Sequence, residues 1–429
     1  MISPQFNKPV PRGKAWSHVN DVVIMAVGLA LFSCVVIIAR RWFSPVTYSV
    51  QISLRPSALP AYAAYSLLRI AVAYFFSLVF AVAYGYMAAY NTTAERIMLP
   101  ILDILQSIPV LSFLPGVMLA MAALFPHTQL GLELGSVLLI FTGQVWNIAF
   151  SFYSSLKGIP RELIEAARIN RFSKWQRLTQ LELPFSAIGL VWNSMMSVAG
   201  GWFFLMVCEM FTVGSHQVML PGLGSYLQSA ASANNTSAIV WGLAAMIGVI
   251  VLLDQLVWRP VIAWANKFKF EEVESASAPD SAVLNLIRRS AVVEFIGQRA
   301  IAPLSERLTL LFAERPKPEL QEAAPPSRAV KWIGPAISAV VLAGAAYALF
   351  EGIRLLTTLQ SSDLAMIRGG AIATFLRVAA SLIIGAAWTI PVGVAIGFNP
   401  KLARIAQPIV QIAASIPATG YYPVLIRML

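Results

Sequence analysis

Two groups of residues in this chain have the types and spacing to do work. The first is a charged island at residues 157–184. Lys157, Arg161, Arg168, Arg171, Lys174 and Arg177 stand there with Glu162, Glu165 and Glu182, between long apolar runs. Those charges need hydration, so the island lies outside any hydrocarbon layer the flanking runs cross. Pro160 suits the start of a helix, where its missing N–H has no intrahelical role. Leu163, Ile164 and Ala167 recur at helical spacing, which predicts a short amphipathic helix. Alone in water it would be marginal, so it needs something to dock against. The second group is a set of polar side chains inside apolar runs: Gln106, Ser107, Gln144, Asn147, Asn193, Ser194, Ser197 and Glu209. Polar groups in membrane spans either line a path or hydrogen-bond between helices. A carboxylate at a span centre costs roughly 2.5–3.5 kcal/mol on insertion scales, less near an interface. Glu209, near the end of its run, is expected either to line the path or to snorkel out. No lysine or arginine is assigned to a span core, so nothing there points to an anion. Gly200-Gly201 suits close helix approach.

The chemistry not encoded is as informative. No phosphate-cradling GxxxxGK[ST] occurs, nor any serine–histidine–acid or metal-ligand spacing. The chain is not expected to be an enzyme, and it has no catalytic or metal residues to name. Cys34 and Cys208 sit in apolar runs and His18, His127 and His216 are scattered, so no disulfide framework or metal site is implied.

The elements that must carry these groups are membrane spans. The chain has 429 residues, 58% hydrophobic and only 12% charged, with a mean hydropathy of +0.71. This is the composition of an all-α polytopic membrane protein. Its net charge of +11 fits basic cytoplasmic loops rather than nucleic-acid binding. Spans are expected at residues 21–39, 66–90, 100–125 (kinked at Pro109 and Pro115), 136–156, 186–211 and 238–258. With the N-terminus inside, Arg96, the basic island, Arg259, Lys267 and Lys269 are cytoplasmic; Arg40, Arg41 and Arg55 are the exceptions. Arg40-Arg41 close the first run without a cleavage site, so it reads as an uncleaved span. Residues 259–331 read as a cytoplasmic linker. In it, 282–298 and 301–313 form amphipathic helices that fit a membrane surface or a partner's face, and 315–326 is Pro-rich.

The chain then repeats itself. At a constant ungapped offset of 308 residues, Arg69 meets Arg377, Gly85 meets Gly393, Asn91 meets Asn399, Arg96 meets Arg404, Pro100 meets Pro408, and Ser107-Ile108-Pro109 meets Ser415-Ile416-Pro417. Further spans are expected at 332–350 and 371–398. Six spans separate the copies, so both enter the membrane the same way, a parallel duplication. The domains are therefore residues 1–60 (tail, first span, outer loop), 61–258 (first transmembrane domain), the linker 259–331, and 332–429 as the start of a second domain. That copy stops inside its third span, and the native chain is expected to continue.

The island resembles the EAA loop of ABC importer permeases: Glu165, Ala166, Ala167, then Leu181, Leu183 and Pro184 at the family's spacing, with Arg171 standing where the family has glycine. Glu209 followed by Gly222-Leu223-Gly224 is similar to the nitrate, sulfonate and taurine type of permease. The resemblance implies a type I ABC importer transmembrane fold, with two permease units fused and the second truncated, in a bacterial-type inner membrane. It also implies a cytoplasmic ATPase dimer that binds ATP and Mg, a groove on each ATPase subunit receiving the short helix, and an extracytoplasmic binding protein delivering a small solute. Coupling then falls to Glu165, Ala166, Ala167, Arg168, Arg171, Leu183 and Pro184. Leu163, Ile164 and Ala167 are expected to bury in the ATPase groove. A different class would be an ion-coupled transporter or channel, which has no ATPase partner. A membrane-embedded enzyme would need an acid–base or metal cluster.

Overall fold

The computed structural model describes residues 14–47, 50–213, 216–268, 282–311 and, with breaks at 345, 348, 352, 355, 356, 358 and 359, residues 343–415. The chain divides into two compact units, Met1–Ala313 with Val410–Leu429, and Glu314–Ile409. Among the described residues six helices are long and apolar enough to cross a membrane, or seven if one bent pair counts as a span. The all-α polytopic expectation holds.

In the first unit, α1 (Lys14–Trp42) turns a largely exposed apolar surface outward, as a lipid-facing helix does. The core is built by α2 (Leu59–Tyr90), α5 (Leu130–Lys157) and α8 (Leu183–Cys208), which pack on one another. Along α2 the buried face runs Ala63, Ser66, Arg69, Ile70, Ala73, Ser77, Ala81, Gly85 and Ala88. From Ala73 to Ala88 these are small residues at three- and four-residue intervals, which let backbones approach, as helices gaining packing energy in lipid do. A Cβ on Gly85 would stand 2.9 Å from the Phe152 ring and 3.2 Å from the Tyr153 backbone nitrogen. α5 therefore crosses α2 at a point where only glycine fits.

The third expected span is broken rather than kinked. α3 (Thr92–Ser107) and α4 (Val110–Leu124) meet at 94°. Pro109 disfavours helical geometry at the residue before it, and Ile108 is extended (φ −75°, ψ 121°). Pro100 and Pro115 sit inside their helices without ending them. The fifth span ends at Cys208, earlier than expected. The region expected as a loop up to Ser237 is instead an antiparallel hairpin, β1 (Met210–Val213) with β2 (His216–Met219), followed by α9 (Leu223–Ser232). Phe211 pairs with Val218, and both are buried. The first half of α9, Leu223 to Leu227, is buried, and Asn235 caps α10 (Thr236–Leu253), which continues through a π turn into α11 (Arg259–Ala265).

The linker holds two helices as expected, with different limits. The first is Ala282–Arg289; the second runs continuously from Ala291 through a π turn to Leu311. Ser290 separates them by capping the second, its Oγ accepting from the Val293 N–H at 3.3 Å. The same hydroxyl donates to Asp21 Oδ1 of α1 at 2.6 Å.

The 38-residue helix Ser361–Phe398, in the second unit, ends at Asn399 and is followed along the chain by the helix Pro400–Ser415. At the 308-residue offset the end of the long helix coincides with that of α2, although it starts six residues earlier, and both limits of its follower coincide with those of α3: both long helices end one residue before an asparagine, and both followers have 16 residues. The joints match in detail. Asn91 Oδ1 accepts from the second and third N–H groups beyond it at 3.0 and 3.1 Å; Asn399 Oδ1 does the same at 3.1 and 3.2 Å. Most of the span expected at 332–350, and the matched prolines Pro417 and Pro423, lie outside the described residues.

Candidate coupling surface and transport path

The short helix α6 spans Arg161–Ile169, with Pro160 at its N-cap. The Pro160 carbonyl accepts from Leu163 and Ile164 N–H at 3.2 and 3.3 Å. Its apolar stripe does not face outward. Leu163 and Ile164 pack, half-buried, on a cluster holding Ala81, Leu102, Phe152, Leu156 and Ile159, and Ala167 is buried. This corrects the expectation that the stripe fills a groove on another protein. The stripe's nearest apolar surface is the end of its own α2–α5 bundle, and it docks there. What remains outward is Glu162, Glu165, Ala166, Arg168 and Ile169, the last 80% exposed.

The helix ends in a Schellman arrangement. Phe172 N–H donates to Ala167 O at 3.0 Å and Arg171 N–H to Arg168 O at 2.9 Å. That closure needs a left-handed residue, and Arg171 supplies it at φ 51°. The residue differs from the family's glycine, but the backbone has the shape a glycine would provide. Ser173 and Gln176 then form a capping box for α7 (Lys174–Arg177), and a π turn leads into α8, where Leu183 packs on the same cluster and Pro184 sits in the first turn. Two polar clusters brace this end. Tyr90 OH donates to Glu182 Oε1 at 2.6 Å, and Arg177 pairs with the same carboxylate at 2.6 Å while lying 4.5 Å from the Tyr90 ring. Glu95 accepts from Lys157 at 2.9 Å and from the Tyr153 hydroxyl.

The polar candidates within the spans separate into three places. Gln106 and Ser107 are exposed at the α3–α4 joint and bond to Asp103. Asn147 is exposed on α5; Asn193 donates to the Gly189 carbonyl of its own helix at 3.0 Å. Ser194 is buried. Gln144 and Ser197 differ from these. Both are buried at the α5–α8 contact, and Gln144 Oε1 and Nε2 and Ser197 Oγ have no hydrogen-bond partner among the described residues. Any side chain at Gly201, one turn beyond Ser197, would overlap the Gln144 amide. An unmet buried polar group costs about 1–3 kcal/mol, so a polar guest or water reaching either side chain would be stabilised.

Glu209 neither snorkels nor stands alone. It is fully buried, with Oε1 accepting from Arg69 Nη1 at 2.8 Å and from Ser66 Oγ at 2.6 Å, and Oε2 accepting from Gly224 N–H at 2.6 Å. Arg69 also holds Glu133 with two donors, Nε at 2.5 Å and Nη2 at 2.8 Å, and gives Nη1 to the Pro221 carbonyl at 2.9 Å. The Ser66 hydroxyl accepts from Leu223 N–H at 2.9 Å. One guanidinium and two carboxylates thus tie α2, α5 and the end of α8 to the segment leading into α9. A side chain at Gly222 would overlap the Glu209 carboxylate, which explains that glycine. Arg69 corrects the reading that no cation stands in a span core. The signal was present: one arginine inside an apolar run, recurring as Arg377. Its partners were not legible, being 64 and 140 residues away.

Residues 81–257 match the family described as binding-protein-dependent transport system inner membrane component. Among curated proteins the chain is similar to one of Bacillus subtilis named as an aliphatic sulfonates transport permease protein, 23% identical over 188 residues, which are 43% of this chain and 63% of the relative. It is 23% identical over 192 residues to the nitrate import permease protein of Leptolyngbya laminosa, covering 45% of this chain and 64% of the relative. A third relative, the trimethylamine N-oxide transport system permease protein of Pelagibacter ubique, is 28% identical over 242 residues, 56% of this chain and 29% of the relative. The chain spans less than two thirds of the length of each.

Proposed function

We propose, from the match of residues 81–257 to the binding-protein-dependent transport system inner membrane component family, that this chain is the permease subunit of an ATP-driven importer for a small solute. The observation that carries the reading is the placement of α6. Its inner face is clamped to the bundle and its outer face, Glu165, Ala166, Arg168 and Ile169, is free to be gripped. A load on that face reaches α2, α5 and α8 through the shared cluster, through Glu182–Arg177–Tyr90 and through Glu95–Lys157. The grip would come from a cytoplasmic ATPase dimer holding ATP and Mg. Gln144 and Ser197 are the polar groups that would meet a solute when α5 and α8 part. The solute would reach them from an extracytoplasmic binding protein docked near the hairpin and α9. Relatives that carry sulfonates, nitrate and trimethylamine N-oxide favour a small, strongly polar solute. The matched asparagine joints support a second, parallel permease copy.

The test is Glu165→Lys in the full chain, expressed with its ATPase. We expect membrane insertion unchanged, ATPase co-purification lost and uptake abolished. Normal uptake by this variant, or a wild-type chain that transports with no ATPase partner, refutes the reading and favours a channel or ion-coupled carrier. Growth of a deletion strain on single sulfur or nitrogen sources then identifies the solute.

A further inference from the structure

The coupling and path readings leave the linker helix Ala291–Leu311 without a role, yet its placement and surface are specific. Its cap, Ser290, donates to Asp21 Oδ1 at 2.6 Å, and the Val292 N–H donates to the same oxygen at 3.3 Å. Asp21 is at the beginning of the first candidate span, Asn20–Trp42. The preceding helix, Ala282–Arg289, packs on both α1 and α11, and α11 lies at the end of the candidate span Thr236–Phe268. One span begins and another ends here, so the linker helix leaves from the level of one membrane surface. The basic loops make that surface the cytoplasmic one.

Phe295, Ile296, Leu304, Leu310 and Leu311 of this helix are all exposed. At about 100° per residue, slightly less through the π turn, they fall within an arc of roughly 130°. Arg299 and Arg307 are exposed on the same side, the Arg299 guanidinium 5.8 Å from the Phe295 ring, and Arg288 is exposed just before the cap. Glu294, Gln298 and Glu306 fall outside the arc, with Gln298 Nε2 donating to Glu294 Oε1 at 3.2 Å. Apolar residues and arginines on one side, with carboxylates off it, complement a layer that is apolar below and anionic at its surface. Arginine stems can lie along the acyl boundary while their heads reach phosphate.

We propose that Ala291–Leu311 is an interfacial helix that lies on the anionic cytoplasmic leaflet, pinned at one end by the Asp21–Ser290 cap. The inference is independent of what the permease carries.

The test uses the full chain, with Cys34→Ala and Cys208→Ala, reconstituted in vesicles of phosphatidylethanolamine and phosphatidylglycerol. A fluorophore is attached after Ile296→Cys, Leu304→Cys or Gln298→Cys, all exposed positions. Nitroxide carried on the lipid acyl chains should quench the labels at 296 and 304 severalfold more than the one at 298, and aqueous iodide should show the reverse order. Equal iodide quenching at all three overturns the proposal. So does shielding of 296 and 304 from both quenchers, which would mean that a second copy or another protein covers the face. Replacing phosphatidylglycerol with phosphatidylcholine should weaken acyl-chain quenching at 296, and no change overturns the anionic part. Hydrogen exchange on the unmodified chain needs no substitution: protection over 291–311 should be greater in anionic than in zwitterionic vesicles, and equal protection refutes the same part.

Discussion

Replacing Arg69 with methionine removes the one cation of the buried cluster and keeps its apolar stem. In the wild type, four donor contacts from this side chain reach Glu133, Glu209 and the Pro221 carbonyl, and the arginine and Glu209 side chains are fully shielded from solvent. Arg69→Met leaves two carboxylates facing each other in that site. Breaking a buried pair by removing one partner costs about 3–5 kcal/mol. At about 2–4 °C per kcal/mol for a unit of this size, the Tm should fall by roughly 6–20 °C. Glu133→Gln should be milder, because one carboxylate still balances the one guanidinium and the lost charge assistance is worth about 1.5–3 kcal/mol. The assay is thermal unfolding of the purified full chain, followed by a thiol-reactive dye. Cys208 is fully buried and reports opening of this very region. The reasoning fails if Arg69→Met unfolds within a degree or two of wild type, or if Glu133→Gln is the more damaging change.

Arg171→Gly should raise the Tm, since a left-handed non-glycine residue costs about 1–2 kcal/mol and the Schellman bonds are kept; a fall in Tm would show that the Arg171 side chain matters more than its backbone. Gly85→Leu should block assembly of α2 on α5, read as loss of the folded species in size-exclusion chromatography, and a normally eluting variant would contradict the close crossing. Ile169→Cys should resist an impermeant thiol reagent in intact cells while Ser232→Cys reacts; the opposite pattern inverts the orientation. Glu209→Gln should preserve insertion but lower uptake, because the hairpin segment loses a charged anchor; unchanged uptake would confine Glu209 to a packing role.

Elements governed by local chemistry were the ones legible in the sequence. The limits of α6 follow from Pro160 and the stripe of Leu163, Ile164 and Ala167, and the joint at Asn91 was visible in its copy at Asn399. Direction was not legible. A periodic stripe says that a helix has an apolar face, and only the packing shows that Leu163 and Ile164 turn inward. The break at Ile108 needed the sum of two effects, the restriction before proline and a surface to receive α4, and sequence displays only the first. Glu209 is conspicuous in the sequence, but a carboxylate's cost depends on its partner, and Arg69 lies 140 residues away. The hairpin at Met210–Met219 leaves little trace in the sequence, because each strand covers only four residues.

The Arg69 cluster also imposes an order of events during synthesis. α2 leaves the ribosome well before Glu133 exists, and longer still before Glu209. In that interval a membrane-inserting machinery must accept a helix whose arginine has no counter-charge, at a cost of about 2.5–3.5 kcal/mol were it held at the bilayer centre. Arg69 is ten residues from the start of a 32-residue helix, so the nascent helix can slide to put that charge among headgroups. α2 then reaches its final depth only once α5 brings Glu133, and it is locked there when α8 and the hairpin deliver Glu209 and the Pro221 carbonyl. Biogenesis of this domain is therefore a docking that finishes late, with α2 made before α5 and α8 but coming to rest only with them.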